Sequence, residues 1–141
     1  MKAFLDTSVL VAAFYADHEH HNPSIELFLR YDKRDVSCAA HSLAEVYSSL
    51  TGMPGKYRAS TDEAILFLGS IRERMSLVTL TEEEYFRAIE TSAATGVSGG
   101  SIYDALVAYC ALKAGAKAIY TWNVKHFNRL GPEIAKRVVT P

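Results

Sequence analysis

The chain has 141 residues, 49% hydrophobic and 22% charged, a composition typical of one globular domain and not of a disordered segment. Fifteen basic and sixteen acidic residues give a net charge of −1, which excludes a positive field over the whole protein as a means of binding nucleic acid. No stretch approaches the roughly 20 apolar residues that span a bilayer, so we expect no membrane partner and a single domain over residues 1–141.

The first third of the chain alternates short apolar runs with segments of helical periodicity. In chain order the patterns predict a strand at 3–5, helices near 8–16 and 24–33, a strand at 36–40 and a helix near 42–51. Asp6, Thr7 and Ser8 stand between the first strand and the first helix, where they supply capping side chains. This order predicts a β-α-α-β-α start.

The remainder of the chain continues the alternation. In chain order we predict a helix near 61–73, a strand at 77–80, helices near 82–95 and 101–113, a strand at 117–121, a short helix at 124–129 and a last strand at 137–140. Thr81 to Glu84 forms a capping box at the start of one helix. Gly115 is the expected C-cap of another.

Strands that alternate with helices predict a three-layer α/β/α domain with a central, mostly parallel sheet of about five strands. In such a sheet the covering helices run antiparallel to the strands. Strand carboxyl ends and helix N-termini therefore share one edge, where ligands bind. Asp6, Glu45, Asp104 and Asn123 all map to that edge.

Three acidic residues each stand alone in a segment that otherwise lacks charge. They are Asp6 within 3–16, Glu45 within 36–55 and Asp104 within 91–112. A carboxylate in apolar surroundings costs several kcal/mol unless it is paired, and these segments contain no lysine or arginine. If the three converge, repulsion at about 4 Å amounts to roughly 4 kcal/mol per pair at an effective dielectric near 20. Such repulsion raises pKa values or demands a cation.

Oxygen-only ligands favour Mg²⁺ or Mn²⁺, which keep bound waters and leave room for a substrate phosphate. Two such ions would activate a water and stabilise a leaving oxygen, so the acids predict hydrolysis of phosphodiesters. Each acid has an alternative role in capping a helix. Asp6 can cap the first helix, Ser42 to Glu45 reads as a capping box, and Asp104 lies where a helix dipole favours an acid. Capping alone does not explain why all three map to one edge.

Four segments resemble the four motifs of PIN domains in content, order and spacing. They are Phe4-Leu5-Asp6-Thr7-Ser8-Val9-Leu10, Leu43-Ala44-Glu45-Val46-Tyr47, Tyr103-Asp104-Ala105-Leu106 and Thr121-Trp122-Asn123-Val124-Lys125-His126-Phe127. The resemblance covers nearly the whole chain. In size the chain is similar to the VapC toxins of bacterial and archaeal toxin–antitoxin pairs, and the stretch 50–58 resembles a loop of some of those toxins.

The resemblance implies that Asp6 and Asp104 are the principal metal ligands and that Glu45 completes the acidic centre as a ligand or a water-orienting base. It also implies endoribonuclease activity on RNA, homodimerisation and inhibition by a co-expressed antitoxin. One departure concerns the last motif. Asn123 replaces an acid that is frequent in the family, and His126 stands where another aspartate is frequent. Asn123 can still ligate a cation or hold a water, and His126 can touch a phosphate or simply pack.

Two further clusters are candidates for binding. Lys56 and Arg58 flank Tyr57 in a polar loop, which can grip RNA by charge and stacking or can be a solvated loop. The histidines at 18, 20 and 21 crowd one short segment with two acids. Adjacent residues do not converge easily on zinc, so we interpret this segment as a surface linker.

Two other functions remain open. Asp6-Thr7-Ser8 after a strand can carry a phosphoaspartate in a small-molecule phosphatase, although a second acid two residues later is missing. The second open function is that of a non-catalytic PIN-fold domain that binds RNA or protein. The departures at Asn123 and His126 leave this function possible. Cys38 and Cys110 match no metal or redox spacing, so we interpret both as small buried hydrophobic residues of a cytoplasmic protein.

Overall fold

A computed structural model describes all of residues 1–141 and contains one sheet of five short parallel strands. The strands are β1 (Ala3–Leu5), β2 (Val36–Ala39), β3 (Ser76–Val78), β4 (Ala118–Tyr120) and β5 (Val138–Val139). The helices are α1 (Thr7–Phe14), α2 (His21–Arg30), α3 (His41–Gly52), α4 (Thr61–Arg74), α5 (Glu82–Ala94), α6 (Ser101–Lys113), α7 (Val124–Asn128) and α8 (Pro132–Ala135). A 3₁₀ turn at Gly55–Tyr57 joins α3 to α4.

The sheet is covered on both faces because side chains of each strand alternate between them. Leu5 of β1 packs with residues of α1 to α4 in one core cluster. The preceding Phe4 packs with residues of α6, α7 and α8 in the other. Both side chains are fully buried, so β1 is the centre of the fold. The predicted three-layer α/β/α class, with a parallel sheet of five strands, is confirmed.

The strand order is β3-β2-β1-β4-β5, which means that the chain reverses direction across the sheet beside β1. It steps from β1 through β2 to β3 and then returns to β4 on the other side of β1. Connections that leave adjacent strands in opposite directions open a crevice at the strand carboxyl ends. Asp6 follows β1 and Thr121 follows β4, so both residues lie at this crevice.

Two helices differ from the prediction. Helix α2 begins at His21 and not at residue 24, because Pro23 lies in its first turn, where a backbone N–H has no helical partner to lose. Helix α8 was not predicted. It begins with Pro132 at its first position, and proline there is preorganised for a helix.

Local signals predicted the ends of other helices correctly. Thr81 caps α5 in a reciprocal capping box with Glu84, as expected. Gly115 follows the end of α6 with a φ of +68°, and its N–H donates to Leu112 O.

Cys38 and Cys110 are both buried and form no disulfide, and burial raises the pKa of Cys38 to about 12. None of the helices is long and apolar enough to cross a membrane.

Helix α4 offers a matched test of the core. Ile71 is fully buried against the sheet, whereas Ile65 on the same helix is 58% exposed. We expect Ile71→Ala to lower the free energy of unfolding by about 2–5 kcal/mol, through lost burial and a residual cavity. Ile65→Ala should change it by about 0.5 kcal/mol or less. Urea denaturation of both variants measures this difference, and equal effects would contradict the packing described for α4.

Candidate metal centre

Asp6 joins the end of β1 to the end of β4. Its backbone N–H donates to Tyr120 O at 3.0 Å, and its carboxylate caps α1. The Oδ2 atom accepts hydrogen bonds of 2.8 Å from both Ser8 Oγ and Thr121 Oγ1. The Oδ1 atom makes no hydrogen bond within the protein and is not sealed from solvent, although the residue as a whole is only 3% exposed. One oxygen of a nearly buried carboxylate is therefore free for another partner.

The two hydroxyls that bind Asp6 also fix the segment after β4. Ser8 Oγ accepts the N–H of Trp122 at 3.0 Å. Thr121 Oγ1 accepts the N–H of Asn123 at 2.9 Å. The same hydroxyls thus hold the carboxylate and shape the turn that presents Trp122 and Asn123.

Glu45 lies in the N-terminal half of α3 and faces α1. Its Oε1 accepts a hydrogen bond of 3.0 Å from Thr7 Oγ1, which also lies 2.9 Å from Ser42 Oγ. Helix α3 begins at His41, and Ala40 before it forms no side-chain cap. The alternative of a capping box from Ser42 to Glu45 is therefore wrong, because the helix starts two residues too early for Ser42 to cap it.

Asp104 lies in the first turn of α6, and Gly100 at the helix start provides no side-chain cap. Its Oδ2 lies 3.5 Å from Nδ1 of His126 on α7. The Asp104 side chain is 28% exposed and that of His126 is 64% exposed. This pair lies at one side of the crevice, and both side chains are partly exposed to solvent.

The three acids meet in one cleft of about 480 Å³ at the carboxyl ends of β1 and β4. Its lining comprises Asp6, Thr7, Ser8, Val11, His18, Glu19, His20, Glu45, Ser49, Asp104, Trp122 and Asn123. A second cleft of about 370 Å³ shares Asp104 and is also lined by His126 and Arg129. Asp104 therefore divides an acidic cleft from one that carries basic side chains.

The electrostatics of the cleft are unfavourable to three free carboxylates. Burial raises the pKa of Asp6, the charge of Asp104 raises it further, and the hydrogen bonds from Ser8 and Thr121 oppose the rise. Burial also raises the pKa of Glu45; the hydrogen bond from Thr7 and the nearby His41 oppose the rise, and the charges of Asp6 and Asp104 add to it.

Burial likewise raises the pKa of Asp104, against the opposing effect of His126. No lysine or arginine forms an ion pair with any of the three acids. The negative charge of the cleft is thus left largely without a counter-charge from the protein.

The donor set fits a hard divalent cation. All three acids offer carboxylate oxygens, Asn123 adds an amide oxygen at the same cleft, and Asp6 Oδ1 is free. No group of three or more His, Cys, Asp or Glu side chains is close enough to enclose one ion. Mg²⁺ needs no such cage, because it typically takes one or two carboxylates and keeps several waters. Ligation by Asp6, Glu45 and Asp104 stays a prediction with this support.

The basic loop lies apart from the cleft. Lys56, Tyr57 and Arg58 follow the C-terminal end of α3, whereas Glu45 lies near the other end. Lys56 Nζ stands over the Tyr57 ring at 5.3 Å, and Arg58 Nε donates to Met53 O. All three are exposed and line neither cleft. A contact with RNA at these residues therefore stays a prediction, and it applies outside the acidic cleft.

The histidine segment is the surface turn between α1 and α2, as interpreted, but its place at the acidic cleft was not predicted. His18 and His20 line the acidic cleft, and the His20 ring stacks on Trp122. Spacing along the chain gave no sign of this contact, because it joins distant segments. Thr121 was also missed as a partner of Asp6, although a hydroxyl directly after an apolar strand is a signal that points to the same edge.

The chain is similar in sequence to a known protein family over nearly its whole length. The model of the PIN domain matches residues 3–131. Ribonuclease VapC40 of Mycobacterium tuberculosis is 35% identical over 114 residues, which cover 81% of this chain and 81% of that protein. Ribonuclease VapC27 of Mycobacterium tuberculosis is 32% identical over 114 residues, covering 80% and 79% of the two chains.

Solved structures of low sequence identity share the fold. VapBC2 from Rickettsia felis, solved with a DNA fragment from the promoter of the pair, gives a TM-score of 0.67 at 17% identity over 99% and 98% of the two chains. PAE2754 from Pyrobaculum aerophilum gives a TM-score of 0.64 at 15% identity, and the match covers 99% of this chain and 89% of that chain. VapBC-1 from nontypeable Haemophilus influenzae gives 0.62 at 21% identity over 92% of each chain.

The raised pKa of Asp6 predicts a pH dependence of stability in protein freed of metal by EDTA. The folded state holds the Asp6 proton more tightly than the unfolded state does. The free energy of unfolding therefore falls as the pH rises from the ordinary aspartate pKa through the raised one. Asp6→Asn keeps an acceptor for Ser8 and Thr121 but carries no charge.

We expect the Asp6→Asn variant to be more stable than the wild type at pH 8, with a difference that shrinks as the pH is lowered. Urea denaturation at several pH values measures that difference. A gap that does not change with pH, or a wild type that is the more stable at pH 8, would contradict the raised pKa.

Proposed function

The chain belongs to the PIN-domain family, and we propose that it is a Mg²⁺- or Mn²⁺-dependent endoribonuclease that serves as the toxin of a type II toxin–antitoxin pair. The observation that carries the proposal is the meeting of Asp6, Glu45 and Asp104 in one open cleft without a lysine or arginine partner. Two relatives that are more than 30% identical over about four-fifths of the chain are named ribonucleases, which supports RNA as the substrate.

Each acid has a distinct place in the proposed reaction. Asp6 and Asp104 would hold the ions, on opposite sides of the crevice between β1 and α6. Divalent ions bound there would lower the pKa of a water and neutralise charge on the phosphate and the leaving oxygen. Glu45 would accept a proton from the attacking water, and burial makes it a stronger base than an exposed glutamate. Thr7 limits rotation of the Glu45 carboxylate by binding one of its oxygens.

The two clefts suggest how an RNA strand lies across the site. A phosphodiester carries negative charge, so it enters the acidic cleft only when cations are present. Beyond Asp104 the second cleft offers Arg129 and His126, which can bind a neighbouring phosphate. The cut phosphate would lie beside the three acids. The next phosphate along the strand would lie beside Arg129, and Lys56 to Arg58 would contact RNA farther away.

The same proposal includes protein partners. Structures named VapBC share the fold of the chain, and we propose that an antitoxin protein binds and inhibits it. Homodimerisation and a cytoplasmic location are further parts of the proposal. The helices α4 and α5 expose large apolar side chains, among them Leu66 and Phe86, which give such contacts an apolar surface.

The phosphatase alternative has little support from the geometry. A phosphatase of this kind would need a second acid two residues after Asp6, yet Ser8 stands there and donates to Asp6 Oδ2. The non-catalytic alternative predicts metal binding without turnover, so an activity measurement separates it from the nuclease.

We expect the purified protein to cleave a total-RNA preparation in Mg²⁺ or Mn²⁺ and to lose cleavage in EDTA. Asp104→Asn should lower the rate by about a hundredfold or more, because it removes a charge that holds the ion and the reacting groups. Asp62→Asn is a matched control, since Asp62 is an exposed acid in the first turn of α4, outside both clefts.

Cleavage of the RNA preparation that persists in EDTA and in the Asp104→Asn variant would contradict the proposal. Absence of cleavage by folded, metal-loaded protein across varied RNAs would favour the binding domain. In that case Asn123 and His126, which stand where the family often has acids, are the first residues to replace with aspartate.

A further inference from the structure

One wall of the acidic cleft is aromatic and held in a fixed position. Trp122, the single tryptophan of the chain, donates its indole N–H to Ser24 Oγ at 2.9 Å. Ser24 is fully buried in α2, so this hydrogen bond anchors the ring to the core. The backbone N–H of Trp122 donates to Ser8 Oγ, which also holds Asp6. The indole is thereby fixed relative to the carboxylate.

His20 lies flat on the indole. The ring centroids of His20 and Trp122 are 3.7 Å apart, and the planes differ by 8°. The ring of His18 follows at 5.7 Å from that of His20, with a tilt of 43°. The backbone N–H of His20 donates to His18 Nδ1 at 3.0 Å, and this hydrogen bond sets the orientation of the His18 ring. His20 is thus next to both other rings, and all three rings line the same cleft as the three acids.

These rings leave surface for a ligand. The His20 side chain is 37% exposed although its ring stacks on Trp122, and its Nε2 lies 3.4 Å from Oε1 of the exposed Glu19. No lysine or arginine lines this cleft. A nucleic acid that enters it therefore finds no basic side chain for its phosphates but finds flat rings for its bases. Unpaired bases of RNA stack on such rings, whereas bases inside a duplex are already stacked and paired.

We propose that the stacked pair of His20 and Trp122 is a platform for one unpaired base of single-stranded RNA. The phosphate next to that base would then lie at the three acids, so the platform selects single strands and positions them for cleavage. The identity of the ligand as RNA rests on the proposed function. The alternative is a purely structural role, in which the stack only fastens the start of α2 to the segment after β4.

The fluorescence of Trp122 reports on the platform directly, because the chain has no other tryptophan. The Asp104→Asn variant keeps the RNA intact during the titration, which is made in Mg²⁺ because the strand enters the acidic cleft only when cations are present. We expect a short single-stranded RNA of mixed sequence to change the emission of this variant on binding. An abasic ribose-phosphate strand of the same length and charge, and a blunt duplex, should leave it nearly unchanged.

His20→Ala, added to Asp104→Asn, should weaken binding of the single strand by roughly five- to a hundredfold, the range expected for one stacked base. His20→Phe keeps a flat ring and should retain most of the affinity. A structural role would instead make the two variants alike in binding, or would lower stability without changing affinity. Urea denaturation of each variant separates these effects, and if His20→Ala fails to fold, the abasic strand and His20→Phe still decide.

The platform and the nuclease can fail separately. Equal emission changes with the abasic and the normal strand, or equal affinity of His20→Ala and its parent, would overturn the platform even if the wild type cleaves RNA. A base-dependent change in emission, lost in His20→Ala, would establish the platform even if the wild type cleaves none of the RNAs tested.

Discussion

The nearly complete burial of Asp6 is the constraint on which the rest of the site depends. A charged carboxylate with little access to water costs several kcal/mol, and two further acids at the same cleft add repulsion. Hydrogen bonds from Ser8 and Thr121 offset part of this cost, since each bond to a charged group contributes about 1.5–3 kcal/mol. The second oxygen of Asp6 and the charges of Glu45 and Asp104 are still unbalanced. A divalent cation bound in the cleft would supply the charge that the protein does not.

The topology of the sheet explains why the three negative charges meet at one place. Reversal of the strand order beside β1 opens the crevice, and parallel strands bring the ends of β1 and β4 to its floor. The hydroxyls that stabilise Asp6 also fix the turn after β4, so the acidic cleft and its aromatic wall share the same hydrogen bonds. A change in Ser8 or Thr121 would therefore disturb both the acids and the proposed base platform.

Local sequence patterns predicted most of the fold and the acidic half of the site. Apolar runs marked the strands, and the rule that ligands bind at strand carboxyl ends placed Asp6, Glu45 and Asp104 together. The predictions that failed concern features that depend on tertiary contacts. Helix α2 starts three residues before the predicted bound, with Pro23 tolerated in its first turn, and Glu45 pairs with Thr7 on another helix instead of capping its own. The stack of His20 on Trp122 joins segments far apart in the chain, so no local spacing could reveal it.

The most direct test of the central claim is anomalous diffraction from crystals of the protein grown with Mn²⁺ in place of Mg²⁺. We expect an anomalous peak in the acidic cleft, in contact with the carboxylates of Asp6 and Asp104. We expect that peak to be lost in crystals of the Asp6→Asn variant. Manganese bound only elsewhere, or a cleft without manganese at a concentration that fills other carboxylate sites, would contradict the assignment of these acids as a cation site.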